Sequence, residues 1–218
     1  MWFESLVGFR EESGDGVRRN IAVDGESMTS IANGRRFVCG RLETPSLSDL
    51  RQRVQELDCP RGKLVVDQVV GDVQALHREV SNQGALFQVA SQFNLLEMVS
   101  PSVTPEQGID IYENDLTQGP ACAIACGAGT IYRNYFVPLG DQIGQTADKQ
   151  IDCLGDVGDA LGNQRNRLWT MRNGYALATA EGLGYIADQL AGADETHRDM
   201  LRGLLRIGIQ WQTQVTLG

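Results

Sequence analysis

A run of apolar residues near the middle of the chain is followed directly by side chains that can bind a ligand or move a proton. The run covers residues 85–90, and the amides of Gln92 and Asn94 and the carboxyl group of Glu97 come after it. Amides hydrogen-bond to sugar hydroxyls and phosphates, and a carboxyl group can exchange a proton with a reacting oxygen. We therefore expect Gln92 and Asn94 to contact a ligand and Glu97 to be a general acid or base. The alternatives are that the amides serve turns of their own backbone and that Glu97 is a solvated loop acid.

A helix start further along the chain is the second candidate binding element. No lysine or arginine occurs between Arg78 and Arg133, whereas six acids do. A phosphate bound in this part of the chain would therefore have to be held by backbone N–H groups at a helix N-terminus. The proline of the Thr-Gln-Gly-Pro sequence falls in the first helical turn, where its missing N–H costs nothing. The residues of this helix start are Gln118, Gly119, Pro120 and Ala121.

Composition and charge exclude several classes of protein. The 218 residues carry a net charge of −9, which argues against nonspecific binding to nucleic acids or to anionic membranes. No apolar run approaches the roughly 18 residues of a membrane span, and the N-terminus has acids where a signal peptide has a basic end. We therefore expect a cytoplasmic protein without a membrane contact.

The cysteines are odd in number and irregularly spaced, which favours reduced thiols over disulfides or a metal site. Only His77 and His197 could add imidazole ligands, and we expect neither a metal nor a cofactor. Cys122 falls in the first turn of the predicted helix, where a thiolate is stabilised, so Cys122 or Cys126 is an alternative enzymatic nucleophile. The five cysteines are Cys39, Cys59, Cys122, Cys126 and Cys153.

Hydrophobic periodicity and turn residues predict an alternation of strands and helices, which is typical of an α/β sheet with parallel neighbours. Asp72 follows a predicted strand and could simply cap the helix behind it. Asn173-Gly174 joins two strand pieces or marks the bend of one strand. Strands are predicted over residues 6–9, 20–23, 36–39, 63–70, 85–90 and 207–217, with strand pieces in 167–178. Helices are predicted over residues 47–56, 73–80, 151–161, 179–190 and 195–205, and from Gln118 onward.

Three segments in this order resemble the macrodomain family, which binds ADP-ribose. They are Gly71-Asp72-Val73-Gln74 after a strand, the polar segment at residues 89–95, and the loop that leads into the helix start at Gln118. The gap between Asp72 and Asn94 is longer than is usual in the family, and its run of glycines is absent. The sequence TQGPACAIACGAGTIYRNYF also resembles a set of microbial proteins, from which no function can be carried over.

The macrodomain resemblance implies a fold and a set of residue roles. The fold is α/β, a three-layer α/β/α arrangement around a mixed sheet. Asp72 would accept a hydrogen bond from the adenine amino group, and Asn94 would hold the distal ribose. The helix start at residues 118–121 would face the pyrophosphate.

The resemblance also implies a division of the chain. Residues 1–62 would be a β-rich extension packed on the core, and residues 63–218 a macrodomain-like domain. The similar proteins continue with another strand and helix, so we expect this domain to be incomplete at its C-terminal end.

Three functions are therefore open. The first is binding of ADP-ribose or a related nucleotide-diphosphate-sugar, with hydrolysis of ADP-ribosyl bonds by Glu97 as a further expectation. The second is a noncatalytic interaction or oligomerisation protein that makes its contact through residues 132–136. The third is a thiol enzyme that uses Cys122 or Cys126.

Overall fold

The structure, a computed structural model, describes residues 1–40, 43–58 and 62–217 and has a mixed α/β architecture. Within these residues the α-helices are α1 (Trp2–Val7), α2 (Gly14–Asn20), α3 (Leu47–Glu56), α4 (Val73–Arg78), α5 (Gln118–Cys126), α6 (Ala128–Tyr135), α7 (Gly155–Leu161), α8 (Ala180–Gly192) and α9 (Glu195–Gln212). The strands are β1 (Ile21–Asp24), β2 (Ser27–Ser30), β3 (Arg36–Val38), β4 (Leu86–Ala90), β5 (Pro138–Leu139), β6 (Gln142–Ile143), β7 (Trp169–Arg172), β8 (Tyr175–Ala178) and β9 (Thr213–Leu217). Short 3-10 helices cover Val80–Asn82, Pro105–Gln107, Asp110–Asn114 and Gln164–Asn166.

The strands of the described residues form several small sheets rather than one large one. Their orders are β1-β2-β3, β4-β9, β5-β6 and β7-β8, and every pairing is antiparallel. The predicted α/β class is confirmed, since the described residues contain both helices and strands. The expectation of parallel neighbours is wrong, because most of the paired strands follow one another directly as hairpins, and hairpin strands run antiparallel.

Local signals predicted several elements correctly. Asp72 caps α4 by accepting hydrogen bonds from the backbone N–H groups of Gln74 and Ala75. The predicted turn at Asn173 and Gly174 joins β7 to β8, with φ of +47° and +83° at the two residues. These signals depend on the chemistry of single residues, so tertiary context does not alter them.

Two predicted strands are wrong, and a third is formed only in its second half. Residues 6–9 lie in and after helix α1, whose Phe3 and Val7 share one buried face at helical spacing. Residues 63–70 form no strand and stay exposed. Residues 207–212 belong to α9, in which Gly208 lies against the carbonyl oxygen of Cys153, so only β9 of the predicted strand is formed.

Two apolar clusters form the core among the described residues. The first joins residues of α1, α2, β1 and β2 to residues of α5, α6 and the loop before them, including Phe3, Met28, Leu96 and Ile131. The second joins α7, β7 and α9. Because the first cluster draws on both sides of the predicted boundary at residue 62, the N-terminal segment packs on the rest of the chain.

Glycine is required where α8 begins. Gly182 lies so close to the carbonyl oxygen of Leu168 that a β-carbon would overlap it, whereas a β-carbon at Gly184 in the same helix would meet nothing within 4 Å. Leu168 is fully buried in the second cluster, so its backbone cannot move freely. The first turn of α8 is therefore fixed by backbone contact to Leu168, the residue directly before β7.

We expect Gly182→Ala to lower the free energy of unfolding by about 1–3 kcal/mol, because the added methyl group forces the buried backbone apart. The matched variant Gly184→Ala should raise it by up to about 1 kcal/mol through helix propensity. Urea unfolding followed by circular dichroism measures both values. Equal effects of the two substitutions would contradict this close contact.

Candidate functional site

Strand β9 buries its polar face. Gln214 and Thr216 are 3% and 7% exposed, whereas Val215 between them is 57% exposed. Side chains two residues apart lie on one face of a strand, so the two polar residues point inward together. Buried polar groups are costly unless they are hydrogen-bonded, and both of these find partners on other elements.

Glu97 is the first of these partners. The Gln214 side-chain amide donates to Glu97 Oε1 at 3.0 Å, and the carboxyl group is 6% exposed. The backbone N–H of Glu97 donates to the hydroxyl of Tyr112 at 2.9 Å. Glu97 Oε2 lies directly against Gly119, where a β-carbon would overlap it. The structure thus brings Glu97 and the predicted helix start of α5 together.

The environment of Glu97 favours its neutral form. Burial raises the pKa of Glu97 from its ordinary value of 4.5 to about 8, and the negative charge of Asp115 acts in the same direction. The positive charge of Arg133 opposes this but is the weaker influence. Glu97 is therefore protonated at neutral pH and can serve as a general acid.

Arg133 completes this end of the site. Its Nη2 donates to Gln214 Oε1 at 3.0 Å and to the hydroxyl of Thr130 at 3.0 Å, while its Nε is buried without a partner. Gln214 therefore bridges a guanidinium group and a carboxyl group. A basic residue in the last turn of a helix ordinarily stabilises the helix dipole at the surface, but the guanidinium group of Arg133, in the last turn of α6, faces inward.

A cavity of about 1100 Å³ lies beside this bridge. Arg133 and Gln214 line it together with the aromatic residues Tyr132 and Trp211, the end of β3 and the exposed side of β9. Glu97 lies behind Gln214, one hydrogen bond from the cavity. The cavity is large enough for a nucleotide-sized ligand.

The other end of the buried polar face holds a thiol and an imidazole. His77 Nε2 lies 3.0 Å from the hydroxyl oxygen of Thr216 and 3.8 Å from Cys122 Sγ. His77 Nδ1 lies 2.7 Å from the carbonyl oxygen of Val73. The four described cysteines are free thiols.

Several residues predicted to bind a ligand have partners within the chain. Gln92 holds the backbone of Met98 through both ends of its amide, at 2.6 and 3.1 Å. Asn94 is fully buried, accepts from the N–H of Leu96 and donates to Gln150, each at 3.0 Å. In this structure Gln92 and Asn94 therefore hydrogen-bond to nearby backbone, and Asp72 caps α4, which agrees with the alternatives to ligand binding.

The helix start of α5 divides into an exposed and a buried part. Gln118 is exposed, whereas Gly119, Pro120 and Ala121 are buried. Thr117, the residue before the helix, makes no side-chain hydrogen bond to its first turn. Glu97 lies against this turn, at the position where the sequence predicts a bound anion.

Gln214, Thr216, Arg133 and His77 were not predicted as site residues. The alternation of polar and apolar residues in β9 was visible in the sequence, and it ordinarily indicates that the apolar face is buried. In β9 the polar face is the buried one. The described residues contain no group of three or more His, Cys, Asp or Glu side chains placed to hold a metal ion.

Comparisons with protein family models, with curated proteins and with solved structures found no match. Among the described residues no helix combines the length and the apolar composition that a membrane crossing requires.

The raised pKa of Glu97 predicts a pH-dependent effect of Glu97→Gln on stability. The native state keeps the proton up to about pH 8, whereas the unfolded chain releases it near pH 4.5, so this group makes wild-type stability fall as pH rises between these values. Glutamine keeps the acceptor for Gln214 and cannot ionise. We expect the variant to match the wild type at about pH 4 and to exceed its free energy of unfolding by on the order of 4 kcal/mol at about pH 9.

Urea unfolding at both pH values measures this difference. The exposed acid Glu12 gives the matched control, and Glu12→Gln should follow the wild-type curve. A stability difference between Glu97→Gln and wild type that does not change with pH would contradict a buried, neutral Glu97.

Proposed function

We propose that the cavity binds a nucleotide-diphosphate-sugar of the ADP-ribose class and that Glu97 is the general acid for cleavage of its glycosidic bond. The observation that carries the proposal is the Arg133–Gln214–Glu97 bridge in the cavity wall. It offers a positive charge for a phosphate and a protonated carboxyl group one side chain away.

The cavity supports a ligand of this size and charge. Its volume of about 1100 Å³ suits a dinucleotide-sized molecule. Arginine binds phosphate oxygens through fixed, charge-assisted hydrogen bonds, and Arg133 lines the cavity. Tyr132 and Trp211 offer aromatic surfaces on which a base can stack.

Cleavage needs a proton on the leaving atom and a water molecule on the sugar carbon. Glu97, neutral below about pH 8, gives its proton to the leaving atom, and the resulting carboxylate takes a proton from the attacking water. Rotation of the Gln214 side chain exposes the carboxyl group to the cavity. The roles that the macrodomain resemblance implies for Asp72 and Asn94 form no part of this proposal, and it does not require a three-layer arrangement.

Calorimetric titration with ADP-ribose and release of ADP-ribose from a modified peptide test the proposal. We expect Glu97→Gln to keep the wild-type affinity and to lose at least about 100-fold in turnover. Arg133→Met should weaken binding by about 10- to 100-fold through the lost charged hydrogen bonds. Arg202, paired with Glu195 on the exposed side of α9, supplies the control, and Arg202→Met should bind normally.

Absence of heat and of a thermal shift at millimolar ADP-ribose would overturn the binding proposal. Binding with full turnover in Glu97→Gln would remove Glu97 from the mechanism.

A second candidate function, self-association, is favoured by the extended segment before α4. Five of the eight residues at 63–70 are large and apolar, and Leu64 and Val70 are 89% and 104% exposed. The segment has high strand propensity and no strand partner in the described chain. The end at residues 132–136 fits this role less well, because Tyr135 is buried and its hydroxyl donates to Glu11.

For this candidate we propose that the segment pairs with the same segment of a second copy of the chain. Light scattering should then give a dimer for the wild type and a monomer for Val66→Asp, because a charge on the pairing strand opposes burial. Ile31→Asp, at another exposed apolar residue, should leave the dimer intact. A monomeric wild type would contradict self-association.

A further inference from the structure

The imidazole of His77 is held in one orientation at the end of β9. Its Nδ1 lies 2.7 Å from the carbonyl oxygen of Val73, and its ring stacks on Phe87 with centroids 3.8 Å apart and planes 20° apart. Phe87 and Thr216 are opposite each other in the β4–β9 pairing, so the strand pair supplies both the stacking surface and the hydroxyl at the ring edge.

This arrangement determines which nitrogen of the neutral ring can accept a proton. A carbonyl oxygen only accepts hydrogen bonds, so Nδ1 carries the hydrogen and Nε2 presents a lone pair. Nε2 faces Cys122 Sγ at 3.8 Å and the hydroxyl of Thr216 at 3.0 Å. A nucleophile beside a base that is oriented by a third group is the arrangement of covalent catalysis.

The thiol of Cys122 needs such a base. Burial raises the pKa of Cys122, and hydrogen bonding to Thr216 opposes this more weakly. The sulfur therefore carries its proton at neutral pH, and its reaction requires removal of that proton as it attacks.

We propose that Cys122 is a nucleophile that accepts an acyl group from a small ester or thioester, with His77 as its general base. Sγ forms a bond to the carbonyl carbon while its proton passes to His77 Nε2. The bond from this carbon to the leaving oxygen or sulfur breaks, and Nε2 gives the proton to the leaving group. The product is a thioester on Cys122, which water can hydrolyse to regenerate the thiol.

Access to Cys122 limits the size of the reactant. The side chain is fully buried beneath α4, but none of the six residues of α4 is itself buried. The segment that leads into α4 is exposed along residues 63–70. A helix without buried residues opens at low free energy. A small acyl group enters while α4 is open, and the closing of α4 returns His77 to its place beside Cys122. Cys122 and His77 do not line the cavity beside Arg133, although Thr216 belongs to both sites.

Acetylation by para-nitrophenyl acetate tests the proposal on the full chain. Peptide mass mapping should place one acetyl group on Cys122 in the wild type. His77→Asn keeps a donor for the carbonyl oxygen of Val73 and removes the base, and it should slow acetylation of Cys122 by about 100-fold or more. Cys126→Ser, one helical turn further along α5, should leave the rate unchanged.

Thermal melting shows whether His77→Asn is folded, which separates loss of the base from loss of α4. The proposal is overturned if the wild type carries no acetyl group on Cys122 and also releases para-nitrophenolate no faster than folded Cys122→Ser. An equal rate of acetylation at Cys122 in folded His77→Asn overturns the role of His77.

Discussion

The hydrogen bond from Gln214 to Glu97 depends on the unusual orientation of strand β9, whose polar face is buried. Strand β9 turns Gln214 and Thr216 inward and Val215 outward, against the usual preference of a strand at a protein surface. The burial of polar atoms is tolerated because α4, α5 and α6 each present a matching group. Without these partners the same strand would favour the opposite face.

The two ends of this polar face differ in charge, but both are stabilised by hydrogen bonds between buried polar groups. At one end, an amide lies between a guanidinium group and a neutral carboxyl group, so this end carries a single formal charge. At the other, a thiol, a hydroxyl and an imidazole share their hydrogens with no formal charge required. A low dielectric strengthens each of these hydrogen bonds and penalises any that is broken.

The parts of the fold that the sequence predicted correctly are those set by short-range chemistry. Asp72 at the start of α4 and Asn173-Gly174 between β7 and β8 act through their own side chains and backbone angles. The pairing of β4 with β9 could not be predicted in this way, because it joins strands far apart in the sequence. Residues 63–70 have the composition of a strand but pair with no strand of the described residues.

The candidate site was predicted in part. The sequence singled out Glu97 and Gly119, and the structure brings them into contact. It also predicted Gln92 and Asn94, whose amides are used to hold neighbouring loops. Gln214 and Thr216 were missed, because the apolar face of an alternating strand is ordinarily the buried one, and in β9 it is the exposed one. His77 was missed because its contact with Thr216 joins residues far apart in the sequence.

The contact between Glu97 and Gly119 has a consequence for how this chain can change over evolution. A side chain at position 119 needs the space that the carboxyl group fills. Alanine there becomes acceptable only when position 97 is shortened or its side chain turns away. The two positions are therefore expected to covary among related sequences, with glycine at 119 retained wherever a glutamate or glutamine stands at 97.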